Sequence, residues 1–120
     1  MVKANSLFDK VTFVSSKAMI KEPAYEDDGK SLILVKNLHC LDDGNEVIEC
    51  LWTDSETYYD FWEIDLYQKE PVYKTVEEVT EYFKSKGFYI ESVSIDEDIW
   101  RFARIRKYDN MFRLTYYCID

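Results

Sequence analysis

Thr75-Val76-Glu77-Glu78 matches a capping box, in which a threonine hydroxyl and the glutamate three residues later satisfy each other's unpaired backbone donors. Val76, Val79 and Phe83 then recur at helical spacing, and Gly87 stands where a left-handed cap ends a helix. This spacing predicts a helix over 76–86. Glu77, Glu78 and Glu81 crowd its first half and Lys84 and Lys86 its last turn, the polarity that a helix dipole favours. Those charges need no functional explanation.

The other apolar runs read mostly as strands. Lys10 to Ser15, with Val11, Phe13 and Val14, is a short β-rich run whose competing reading is the end of a helix starting near Ser6. Lys21 to Lys30 has turn chemistry in Pro23, Gly29 and the acids Glu26, Asp27 and Asp28, and is expected to be a loop. Ser31 to Leu41 and Glu46 to Thr53 flank Asp42-Asp43-Gly44-Asn45, a β-hairpin signal. With a four-residue turn there, Cys40 falls opposite Val47 and Cys50 opposite Asn37, out of register for a disulfide. From Tyr58 to Tyr67 the even positions Trp62, Ile64 and Leu66 alternate with Glu63 and Asp65, which fits a half-buried strand against a competing helix from Ser55. After Gly87 come three β-like runs, Phe88 to Ile95, Ile99 to Tyr108 and Met111 to Ile119, separated by Asp96-Glu97-Asp98 and Asp109-Asn110.

These elements predict one α+β domain over 1–120: an antiparallel sheet of about five or six strands with one main helix (about 76–86), followed by a C-terminal three-stranded meander. A hydrophobic fraction of 47% with 3 Gly and 2 Pro excludes collagen-like and disordered chains. Asp9 and Lys10 interrupt the first apolar stretch below signal-peptide length, and no run approaches the ~18 apolar residues that span a bilayer. Cys40, Cys50 and Cys118 lack the close spacing of a secreted framework, so reduced thiols in a cytoplasm are expected.

Catalytic chemistry has few candidates. The single histidine, His39, adjoins Cys40, but neighbours on a strand point to opposite faces and cannot converge as nucleophile and base. A zinc site from His39, Cys40, Cys50 and Cys118 lacks a close ligand pair. Asp42 to Glu46 lacks calcium-loop spacing, and no glycine-rich phosphate loop is present. No catalytic residue, metal ligand or cofactor is therefore assigned, and the chain is read as a non-enzyme.

Charge is the stronger signal. The formal net charge is −9, yet residues 41 to 100 carry −13, residues 1 to 40 +1 and residues 101 to 120 +3. Between Asp54 and Glu70 acids alternate with aromatics, and Asp54, Glu56, Tyr58, Tyr59, Asp60, Glu63, Asp65 and Tyr67 form the expected partner-binding set. On a strand, Glu63 and Asp65 would stand roughly 6.6 Å apart, a regular row of charge suited to a cationic groove built for phosphate. The competing reading is a solvated acidic face. A second set, Arg104, Arg106, Lys107 and Arg113 on the terminal hairpin, could hold single-stranded nucleic acid on aromatic platforms. If that strand is regular, Trp100, Phe102, Arg104 and Arg106 share a face. Net charge opposes direct nucleic-acid binding, and internal ion pairing of these arginines competes with it.

The expectation is a small acidic binding protein that inhibits a basic, nucleic-acid-handling protein such as a nuclease. Phage anti-defence proteins, including anti-CRISPR and anti-restriction nucleic-acid mimics, and immunity proteins against nuclease toxins have this character. No membrane partner is expected, and the aromatic surplus is compatible with a homodimer.

Overall fold

The computed structural model describes residues 7–119. Along them run β1 (Phe13–Ala18), β2 (Ala24–Tyr25), β3 (Ser31–Leu41), β4 (Glu46–Asp54), β5 (Asp60–Tyr67), α1 (Val76–Lys86), β6 (Val93–Ile95), β7 (Asp98–Lys107) and β8 (Phe112–Ile119). The strands pair in the order β1-β3-β4-β5-β8-β7-β6, with β2 on β3 off that path. All pairs are antiparallel, and the sheet curls into a half-barrel.

This corrects the expected sheet of five or six strands with a main helix and a separate meander: the protein is mostly sheet, with eight strands and a single short helix among the described residues. The physical reason is long-range pairing. β8 hydrogen-bonds to β5, matching Phe61 with Tyr117 and Leu66 with Phe112, so the terminal strands extend the sheet. At the other side the run after Lys10 is a strand on β3, and the expected loop at 21–30 contributes the two-residue β2. The alternative helix start at Ser6 lies outside the described residues.

The hairpin between β3 and β4 is one residue tighter than expected. Leu41 donates to the Asn45 carbonyl at 2.8 Å and Gly44 to the Leu41 carbonyl at 3.1 Å, with Gly44 left-handed at φ +88°. A three-residue loop with a left-handed glycine results. Cys40 therefore faces Glu46, not Val47, and Cys50 faces Lys36, not Asn37. All three cysteines are free of disulfides.

α1 begins and ends where its signals lie. Thr75 Oγ1 accepts from the Glu78 N–H at 3.1 Å, and the Glu78 carboxylate accepts from the Thr75 N–H at 3.2 Å. Gly87, at φ +98°, donates to the Lys84 carbonyl. Val79, Tyr82 and Phe83 are buried from the helix side. They join Val47, Ile64, Leu66 and Leu114 from the sheet in one apolar cluster. Tyr82 also ties the helix to the β3–β4 turn: its hydroxyl donates to Asp43 at 2.7 Å and accepts from Asn45 at 3.0 Å.

Cross-strand register divides the sheet into two faces. One carries Val47, Ile64, Leu66, Leu114 and Tyr116 into the core; the other carries Trp52, Phe61, Glu63, Asp65, Arg113 and Tyr117. No helix among the described residues is long and apolar enough to cross a membrane.

Candidate functional site

The turn from β4 into β5 holds the acidic and aromatic residues Asp54 to Asp60. Asp54 organises it. Its Oδ1 accepts from the N–H groups of Glu56 at 2.8 Å and Thr57 at 3.2 Å, while its carbonyl accepts from the Tyr58 N–H at 2.7 Å. Lys30 braces the outside through an ion pair to Glu56 at 3.2 Å, and its carbonyl accepts from the Ser55 N–H. The result displays Tyr58 at φ +60°, 84% exposed, with Tyr59 also exposed. A non-glycine residue held left-handed costs about 1–3 kcal/mol and persists only where surrounding bonds impose it. Beside it lies a cleft of about 480 Å³, walled by Tyr58, Tyr59, Phe61 and Tyr117 and bearing the carboxylates of Asp60 and Asp98. Asp98 reads as a turn residue in sequence; only the β5–β8–β7 pairing brings it to Asp60.

Glu63, Asp65 and Tyr67 stand apart from that corner. Arg113, across the β5–β8 ladder, binds Asp65 through two parallel hydrogen bonds of 2.8 and 3.1 Å and approaches Glu63 at 3.7 Å. Trp52 Nε1 donates to Glu63 at 3.1 Å. The side chains of Glu63 and Asp65 are only 18% and 13% exposed. Burial holds the Glu63 carboxyl above its ordinary pKa, outweighing the pull of Arg113 and the Trp52 bond. Bonds to Asp65 raise the Arg113 guanidinium, and burial followed by the Asp65 charge raises the Tyr67 hydroxyl. The evenly spaced carboxylates expected along β5 are thus drawn into the sheet by Arg113 and Trp52. Five of the eight sequence candidates make one surface, Glu63 and Asp65 belong to an internal network, and Tyr67 lies half-buried at the end of β5 opposite Glu46.

The terminal arginines are also rearranged. β7 carries a bulge between Phe102 and Arg104, so Trp100, Phe102 and Ile105 face the core while Arg101, Arg104 and Arg106 face outward. Arg104 and Arg106 therefore do not share a face with Trp100 and Phe102, correcting the expectation from a regular strand. Lys107 is exposed at the strand end, and Arg113 is committed to Asp65. On the same outer face Trp52 and Phe61 stack at 4.6 Å and 21°.

His39 and Cys40 point to opposite faces. His39 is buried on the core face, where Nδ1 lies 2.7 Å from Ser16 Oγ and Nε2 2.9 Å from Glu49 Oε1. Phe13 stacks on the ring at 4.3 Å. Asn37 and Trp62 also donate to Glu49, at 3.1 and 2.8 Å. This chain satisfies a buried carboxylate on every side and pins β1 to the sheet. Cys40 instead lies on the outer side, 3.7 Å from Glu46. Burial, then the Glu63 charge, pushes the Cys50 thiol up to about 11, away from a reactive thiolate. Among the described residues no group of three or more His, Cys, Asp or Glu side chains is placed to hold a metal.

The chain matches no protein-family model, no curated protein and no solved structure.

Proposed function

We propose that this chain is a small acidic binding protein that occupies and blocks a basic, nucleic-acid-handling protein through the corner at Asp54–Asp60. The observation that carries this reading is Tyr58, an aromatic side chain almost fully in water on a backbone fixed in a strained conformation by Asp54. Such pre-ordering lowers the entropy lost on docking. The adjoining cleft adds aromatic walls and two carboxylates, the chemistry that takes a lysine or arginine side chain. Phage anti-defence proteins and nuclease-toxin immunity proteins are the settings in which such an inhibitor acts. The internal pairing of Glu63 and Asp65 argues for docking by a compact corner and against imitation of a phosphate row.

The test is affinity capture from native lysate at low and moderate salt, with and without nuclease treatment, comparing the wild type with the double variant Tyr58→Ala/Asp60→Asn. A basic protein that survives nuclease, weakens with salt and is lost with the double variant supports the reading. Retention of the same proteins by the variant, or their loss on nuclease treatment, overturns it.

A further inference from the structure

The arginines of β7 form a second surface that adjoins the acidic corner and shares Phe61 and Tyr117 with it. We propose that the outer face along β7 and β8 binds single-stranded nucleic acid, with Arg101, Arg104 and Arg106 on phosphates and Trp52, Phe61 and Tyr117 as stacking platforms for bases.

The bulge is the first support. In an unbroken strand Arg101 would point away from Arg104 and Arg106; the extra residue at Ala103 turns all three to one face. All three are exposed, and no carboxylate among the described residues comes within ion-pair distance of any of them, although the Glu63 charge acts on Arg106 from farther off. Arg106 moreover stands directly opposite Arg113, and like charges in register destabilise a sheet. Asp65, bound to Arg113 through two hydrogen bonds, offsets this repulsion. A chain of net charge −9 thus concentrates three exposed cations on one strip.

Aromatic placement is the second support. Tyr117, partly exposed, pairs with Arg101 in register, and Phe61 pairs with Tyr117 from the next strand. Trp52, Phe61, Arg104 and Arg106 wall one depression of about 270 Å³, whose floor includes Glu63 beside Arg113. Guanidinium groups spaced along a strand beside aromatic faces suit a flexible backbone whose bases are free to stack. A duplex keeps its base faces covered, so it gains nothing from Trp52 and Phe61. The acids Glu26, Asp27 and Asp28, which border the far side of Trp52, confine the anionic ligand to the β7–β8 side.

Fluorescence anisotropy of an end-labelled oligothymidylate of about 12 nucleotides, within the range of site sizes for such surfaces, tests the proposal with the full chain. Binding at low salt is expected to weaken with log[salt] at a slope of roughly −2, given three arginines at about 0.7 each. Arg104→Ala/Arg106→Ala, at two exposed positions, should lower affinity about tenfold or more and flatten the slope by about 1.4; an unchanged melting curve verifies its fold. Arg104→Lys/Arg106→Lys should keep the slope. Tyr58→Ala, which alters no charge and none of the residues of this face, should bind as the wild type does, so failure of the corner and failure of this face are separable. No binding up to about 0.1 mM protein, the weak end of non-specific affinity, overturns the proposal. So does binding indifferent to the arginine variants, equal affinity for the matching duplex, or equal competition by polyglutamate, which would make the face a site for acidic peptide.

Discussion

Glu49 accepts hydrogen bonds from His39, Asn37 and Trp62 in a position that is 6% exposed. Removing such a carboxylate leaves three buried or half-buried donors without a partner, at about 1–3 kcal/mol each, so about 3 kcal/mol or more in all. Glu49→Ala should lose stability in that range, and Glu49→Gln, which keeps the shape and one acceptor, should lose less; urea denaturation measures both. Glu63 and Asp43 predict opposite responses to acid. The Glu63 carboxyl binds its proton more tightly in the folded chain because burial raises its pKa. Its ionisation therefore removes stability as pH rises through the raised value. Glu63→Gln should melt above the wild type at neutral pH, the gap closing as pH falls through the raised value and being gone by 4.5. At Asp43 burial opposes ionisation, but the Tyr82 hydroxyl, the Asn45 N–H and Lys86 outweigh it and lower the pKa. That stability is present above 3.8 and lost as pH falls through the lowered value, so Asp43→Asn should melt below the wild type at neutral pH and match it in strong acid. Part of this pattern is legible in sequence: Val47-Glu49-Leu51 alternates, which puts an acid on an apolar face. The Arg113–Asp65 pair is not, because its members lie 48 residues apart and meet only when β8 joins β5.

Helix α1 is the element most fully written into its own residues. Both caps act through atoms within a few positions of each other, so local sequence suffices to set its ends. Gly87 adds a tertiary constraint: a Cβ there would overlap the Lys10 backbone carbonyl. Gly87→Ala should cost about 1–2 kcal/mol for the left-handed backbone alone, and more for displacing Lys10, against about 1 kcal/mol for Thr75→Ala; thermal or urea unfolding ranks the two. Strand faces were less legible. Alternation in β7 is broken by a bulge whose position depends on the partner β8, and the β3–β4 register turned on whether Gly44 joined the loop as a left-handed residue. Deleting Ala103 should remove the bulge and leave Trp100, Phe102 and Ile105 alternating on the core face with the three arginines outward. Because the core residues keep their face and Ala103 is exposed, the change should stay within about 1 kcal/mol, read as a urea midpoint close to that of the wild type.

At the scale of the molecule, the half-barrel rests on pairings between distant segments: β5 with β8, and β1 with the far end of β3. Chains built on such non-local ladders close long loops before they gain contacts, so refolding should occupy milliseconds to seconds; stopped-flow fluorescence after dilution from urea measures it. The acidic corner and the arginine strip adjoin, since Phe61 and Tyr117 border both depressions. The three tryptophans divide between the two sides of the sheet. Trp62 and Trp100 meet edge to face at 5.2 Å beside the core, while Trp52 lies outside against Phe61. The protein therefore carries two separate optical channels: the inner indoles report collapse of the chain, and the outer one reports what settles on its surface.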